Sequence, residues 1–186
     1  MALRSAAAGL AAARETAEAV KSTGADRMPF TVHAGVFGDE HLQCRSEAFP
    51  YRPSVSASHG SPVIEARSTG DVGIAGALLG YLALQEGGYV DDLAVLPAFH
   101  GQGIAAGLLA GAASIEEKRR HGSMLSLDVR AANVPAIRLY ERLGFRFGEN
   151  AFPSFLDWDG GYEGEAIATA VASKCPPNAD LSPLFC

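Results

Sequence analysis

The chain has 186 residues and a mass of 19.3 kDa, with 48% hydrophobic and 19% charged residues. That is enough apolar material for one packed domain with a modest extension, and it excludes wholesale disorder. Fifteen basic against 21 acidic side chains leave a formal net charge of −6 and a pI near 5.3, which excludes a general nucleic-acid binder but not a local pocket for one phosphorylated ligand.

The apolar run over 76–84 falls short of the roughly 18 residues a membrane-spanning helix needs. Cys44, Cys175 and Cys186 are odd in number and far apart, so they form neither a disulfide framework nor a paired metal site. The expectation is a reducing, cytoplasmic compartment and no metal. His33, His41 and His59 have no helix-spaced partners and read as loop or surface residues.

In chain order, residues 2–20 are dominated by alanine. They suit a helical extension over 1–25, stopped by Gly24. A transit peptide is the competing reading, and Glu15 and Glu18 count against it. Phe30, Val32, Ala34 and Val36 alternate with Thr31, His33 and Gly35, predicting a strand. Residues 50–62 have loop composition, with Pro50, Pro53 and Pro62 among four serines and His59.

Val63–Arg67 predicts a strand, and the apolar run Ile74–Gln85 predicts a longer buried one with close backbone neighbours at Gly76 and Gly80. Glu86, Gly87 and Gly88 make a tight turn into a strand over Tyr89–Leu96, which Pro97 ends. A glycine-rich turn follows at His100, Gly101, Gln102 and Gly103. Ile104, Leu108, Ala112 and Ile115 then recur at helical spacing, with Glu116–Arg120 as a solvated helix end and Gly122 as the stop. Leu125, Leu127 and Val129 alternate as in a strand. Asn133 is a good N-cap for a second helix carrying Ile137, Leu139, Tyr140 and Leu143, closed by Gly144. Phe145–Phe147 begins another strand, and the tail over 171–186 reads as irregular. A hairpin followed by strand–helix–strand–helix–strand is a mixed α/β sheet.

A glycine turn opening a helix lets backbone N–H groups converge on an anion, with the helix dipole adding positive charge. Gly101, Gln102, Gly103, Ile104 and Ala105 are placed to do this, although an ordinary strand-to-helix turn would look the same. A P-loop needs Lys then Ser or Thr after its last glycine, and Ile104 and Ala105 stand there instead. A dinucleotide-binding reading has Gly101, Gly103, Ala106 and a carboxylate at Asp128 in its favour. Against it, Pro97–His100 intervene between strand and glycine.

Two blocks carry a resemblance. Leu93, Val95, Pro97, Gly101, Gly103, Ile104, Ala105, Leu108 and Leu109 resemble the acetyl-CoA motif of the GNAT N-acetyltransferase superfamily. Asn133, Ala136, Leu139, Tyr140, Gly144 and Phe145 are similar to its Asn-x-x-Ala-x-x-Leu-Tyr-x-x-x-Gly-Phe signature. Asp128-Val129-Arg130 leading into Asn133 looks most like the ribosomal-protein N-terminal alanine acetyltransferase branch. The resemblance covers Ile74–Phe147, and it departs from the usual pattern at His100, where Arg or Gln is common.

The resemblance implies a mostly antiparallel α/β sheet flanked by helices, with splayed central parallel strands, over residues 26–170. It implies transfer of an acetyl group from acetyl-CoA, as co-substrate, to a primary amine by direct attack in a ternary complex. Backbone groups of Leu93, Ala94 and Val95 would take the pantetheine arm, and an N–H near Val95 would polarise the thioester carbonyl. His100, Gly101, Gln102, Gly103, Ile104 and Ala105 would hold the diphosphate, with Asn133 both a cap and a cofactor contact. Tyr140 is the expected general acid toward the thiolate, although packing on an amphipathic helix also accounts for it. Asp91, which shares a strand face with Tyr89, Leu93 and Val95, is the candidate base. A solvated strand start accounts equally well for Asp91 and Asp92.

The expected partner is an amine, a small molecule or a protein N-terminus, with no nucleic acid and no membrane, and a homodimer through the N-terminal helix is a further expectation. The alternatives are a non-catalytic acyl-CoA sensor and a nicotinamide-dinucleotide enzyme.

Overall fold

The computed structural model describes residues 28–50, 57–70, 74–120, 125–130, 133–147 and 167–172, together with Ala13, Glu15 and Glu18, which are helical. The remaining expectations for 1–27, the segment 51–56 and the tail beyond 172 lie outside the described residues.

The element order is β1 (Phe30–Val36), α1 (Asp39–Ala48), β2 (Pro62–Ser68), β3 (Leu78–Leu84), β4 (Tyr89–Val95), a 3-10 turn (Pro97–Phe99), α2 (Ile104–Arg120), β5 (Leu125–Arg130), α3 (Val134–Arg142), β6 (Arg146–Phe147) and β7 (Ile167–Ala172). The chain forms two compact units. One holds the chain to Leu84 and Asp92–Gly111; the other holds Gln85–Asp91 and everything from Ala112 onward.

In the first unit β1, β2 and β3 pair antiparallel, with Val32 opposite Ala66 and Ile64 opposite Leu82. Strand alternation puts Ile64 and Ala66 on one face with Phe30 and Val32, and Glu65 on the other with Tyr81. The first face receives α2. A Cβ at Gly107 would lie 2.9 Å from the Phe30 ring, and one at Gly111 would lie 3.1 Å from Val32, so glycine here lets the helix sit close on the sheet. Leu79, Leu82, Ile104 and Leu108 are fully buried. A Cβ at Gly80 would fall 2.7 Å from the Ala94 carbonyl oxygen, which accounts for the close neighbour the sequence predicts there.

In the second unit the turn after β3 is closed by the Gln85 N–H donating to the Tyr89 carbonyl at 2.9 Å. β4 pairs parallel with β5 at Tyr89–Ser126 and Val90–Leu127, while β4 itself continues to Val95. β5 pairs antiparallel with β7, and β7 with β6. The sheet is thus mixed and mostly antiparallel, with one parallel junction early in β4. β7 runs across position 170.

Several expectations are corrected. The apolar run from Ile74 does not begin as a strand: Ala77 N–H donates to the Ile74 carbonyl at 3.2 Å and Gly76 N–H to that of Ser68 at 2.9 Å. These bonds make 74–77 a turn, and β3 starts at Leu78. The loop composition over 50–62 ends one residue early, since Pro62 opens β2, a position where a strand tolerates the missing N–H. Helix α1 carries no helical apolar stripe and is not foreseen from the sequence. Glu116 is not at a solvated end; it is 1% exposed.

Candidate active site

The site begins where β4 ends. Burial alternates along β4, with Val90, Asp92 and Ala94 on the covered face and Tyr89, Asp91, Leu93 and Val95 half-exposed. The expected face for Asp91 is therefore the one it takes. Asp92 departs from the solvated strand start that composition suggests, because it is buried.

Pro97 stops the strand and turns the chain through Phe99, whose ring is fully buried. Gly101 and Gly103 follow at φ of 79° and 83°, a region that side chains with a Cβ rarely occupy. No heavy atom lies within 4 Å of the place a Cβ on Gly101 would take. The space over the turn is open on that side, and the glycine is required by the backbone angle rather than by crowding. Helix α2 then opens at Ile104. The N–H groups of Gly103, Ile104, Ala105 and Ala106 have no carbonyl one turn earlier inside the helix to accept them. Together with the positive end of the helix dipole they form an anion-accepting end.

Two members of the predicted set are already engaged. Gln102 donates its N–H to the Phe99 carbonyl at 3.4 Å, and its side-chain oxygen accepts from Met28 N–H at 3.0 Å. His100 places Nε2 3.0 Å from the Val95 carbonyl oxygen, to which it donates. Its imidazole thereby ties the turn back to β4.

In the second unit, the Asn133 side chain accepts from the Ala136 N–H at 3.3 Å and caps α3, as the sequence predicts. The far end of α3 closes by a Schellman motif: Phe145 N–H donates to the Tyr140 carbonyl at 2.9 Å and Gly144 N–H to that of Glu141 at 3.0 Å, with Gly144 at φ 88°. The same turn brings the Phe145 ring to 5.6 Å from that of Tyr140, centroid to centroid. Tyr140 is 8% exposed, and burial pushes its hydroxyl up to about 12. The Tyr89 hydroxyl donates to Asp128 at 3.0 Å.

Sequence reasoning misses a polar cluster on the covered face of the first unit. Asp92 accepts from Arg45 Nε at 2.8 Å and from the Tyr81 hydroxyl at 2.6 Å. Burial and the neighbouring Asp92 carboxylate raise the Tyr81 pKa above its ordinary value. His41 is not a surface residue: it is 3% exposed, with Nε2 3.0 Å from Glu65 Oε1. Its Nδ1 accepts the Gly38 N–H at 3.0 Å. Arg67 Nε donates to Glu65 at 2.6 Å. Burial opposes ionisation of Glu65, but the His41 and Arg67 hydrogen bonds outweigh it and hold the carboxyl at about 2. The available signal was His41 and Arg45 four residues apart, one helical turn, and a glutamate between the apolar Ile64 and Ala66 of β2.

Cys44 is buried among these groups, and burial first, then Asp92 and Glu47, pushes its thiol up to about 12. It is therefore not a nucleophile at neutral pH. Among the described residues no group of His, Cys, Asp or Glu is arranged to hold a metal ion, and no helix is long and apolar enough to cross a membrane.

In the first unit β4 leads through a glycine turn into α2, and in the second a capped helix bears a buried tyrosine. The acetyltransferase (GNAT) family model matches residues 26–145, and the chain belongs to that family. It is 34% identical over 107 residues to the [ribosomal protein bS18]-alanine N-acetyltransferase of Escherichia coli K12, covering 56% of this chain and 70% of that protein. It is 36% identical over 81 residues to streptothricin acetyltransferase of Streptomyces lavendulae, covering 41% of this chain and 42% of the relative. The chain thus spans less than half of the latter's length. The crystal structure of the ribosomal-protein-S18-alanine N-acetyltransferase from Escherichia coli matches with a TM-score of 0.53 at 20% identity, over 80% of this chain and 98% of that one, a likeness of fold.

Proposed function

We propose that this protein is an N-acetyltransferase that moves an acetyl group from acetyl-CoA to a primary amine by direct attack, in the cytoplasm. The observation that carries the reading is the turn at 101–105: two glycines at positive φ delivering β4 into the first turn of α2, within a chain of the GNAT family. Acetyl-CoA supplies an activated thioester and a diphosphate handle. Gly101, Gly103, Ile104 and Ala105 fit the diphosphate by their backbone donors. Gln102 contributes mainly by fixing the turn to Met28, and His100 by fixing it to Val95. Backbone groups of Leu93, Ala94 and Val95 take the pantetheine arm, and Asn133 adds a contact from the start of α3.

Tyr140 acts on the leaving thiolate as a hydrogen-bond donor. A buried hydroxyl near 12 stays protonated at every physiological pH. Asp91, on the half-exposed face of β4, serves the amine side, taking its proton through water or holding a cationic substrate by charge. Cys44, the cysteine among the described residues, is too buried and too weakly acidic to carry an acetyl group. The names of the relatives suggest acceptors to try: an alanine of a ribosomal protein, as in the bS18-alanine enzyme's name, or streptothricin, as in the streptothricin enzyme's name.

The test is thiol release from acetyl-CoA with an amine panel that includes an alanine-initiated peptide and streptothricin, alongside thermal protection by CoA and by NAD. Release that depends on an amine, with protection by CoA alone, is expected. CoA protection without release would make the protein a sensor, and protection by NAD alone would overturn the reading.

A further inference from the structure

Helix α1 is unusual in what it buries. Its sequence, Asp39 to Ala48, offers little apolar surface, and its buried side chains are His41, Cys44 and Arg45. An amphipathic helix ordinarily docks through a stripe of aliphatic groups. This one docks through charge and hydrogen bonds. Its amino-terminal half reaches β2, where Arg67 bonds Glu40 at 3.1 Å and His41 faces Glu65. Its carboxy-terminal half reaches β4, where Arg45 meets Asp92. The Tyr81 ring lies between the two halves, 5.1 Å from His41 edge-on, with its hydroxyl on Asp92.

Burying so many ionisable groups contributes little net stability compared with aliphatic packing, because each loses its hydration. What such groups confer is geometry: a carboxylate with two donors at 2.8 and 2.6 Å tolerates little displacement. Asp92 immediately precedes Leu93–Val95 and shares its buried face with Ala94. Fixing Asp92 from α1 and from β3 therefore fixes the start of the strand segment assigned above to the pantetheine arm.

We propose that Asp92 is a positioning residue: clamped by Arg45 and Tyr81, it sets the geometry of Leu93–Val95 and so the affinity for coenzyme A. The inference rests on the reading of β4 as the cofactor strand. The Glu65 end of the clamp holds the same helix but touches β2, two strands from β4 in the strand order. It serves as the internal control.

The experiment uses the full chain carrying Asp92→Asn, Tyr81→Phe or Glu65→Gln. It measures CoA affinity by calorimetry and amide hydrogen exchange without ligand. Asp92→Asn should weaken CoA binding about tenfold, with Tyr81→Phe weaker by a smaller factor, while Glu65→Gln stays within about twofold at a comparable loss of thermal stability. Exchange should rise together in α1 and in Leu93–Val95 for Asp92→Asn, but in α1 alone for Glu65→Gln. Equal shifts of CoA affinity in all three variants, or none in any, would overturn the proposal, as would exchange that rises in α1 but not at Leu93–Val95. If Asp92→Asn fails to fold, Tyr81→Phe decides by the same readouts. A wild-type chain that does not bind CoA defeats the cofactor-strand reading, whereas the exchange result still tells whether Asp92 governs the strand.

Discussion

Tyr140 is poised by its neighbours more than by its own chemistry. Burial raises its hydroxyl to about 12, against roughly 8.5 for a free thiol. In the proposed role, full proton transfer to a thiolate would be uphill by about 5 kcal/mol, so its contribution would be a hydrogen bond that strengthens as charge develops on sulfur. Tyr140→Phe should slow turnover about a hundredfold and leave CoA affinity within about twofold, as steady-state kinetics beside calorimetry would show; unchanged turnover would remove the role. Glu65 makes a pH prediction of a different kind. Its folded pKa lies near 2, below the ordinary value of 4.5. The stabilisation it brings is complete above about 4.5 and is lost as pH falls toward 2. Melting temperatures of the wild type should fall more steeply over that window than those of Glu65→Gln, and parallel curves would contradict the assignment.

At the scale of elements, one left-handed turn and one close fit invite substitution. Gly144 stands at φ 88° in the turn that presses Phe145 on Tyr140. Gly144→Ala should cost about 1–2 kcal/mol in denaturant unfolding, and it should also lower turnover by loosening Tyr140. Gly80→Ala would drive a Cβ to 2.7 Å from the Ala94 carbonyl oxygen, a backbone clash with little room to relax, and should cost about 1–3 kcal/mol. A neutral result at either position would mean the backbone there adapts freely. These elements were legible because their signals are local. Alternation marked β1 and β5, the paired glycines marked the turn before β4, and Asn133 with Gly144 bracketed α3. Helix α1 was illegible for the converse reason. It buries an imidazole, a thiol and a guanidinium, so no apolar period exists to be read, and its partners Glu65, Tyr81 and Asp92 come from three different strands. Ile74 misled because it is apolar yet belongs to a turn.

For the whole molecule, the two motif blocks identified the family because they combine spacing over both helices with the strand before the first. They did not show how the glycine turn is braced. The bonds from Gln102 to Met28 and from His100 to Val95 join residues whose pairing no local pattern encodes. The acceptor side is not written in either block. The central claim is that the turn after β4 holds the diphosphate of coenzyme A while the strand before it lies along the pantetheine arm. A crystal structure of the full chain with coenzyme A tests this most directly. It should show diphosphate oxygens within hydrogen-bond reach of the N–H groups of Gly101, Gly103, Ile104 and Ala105, and the arm beside Leu93–Val95. Coenzyme A bound elsewhere, with that turn unengaged, would contradict it.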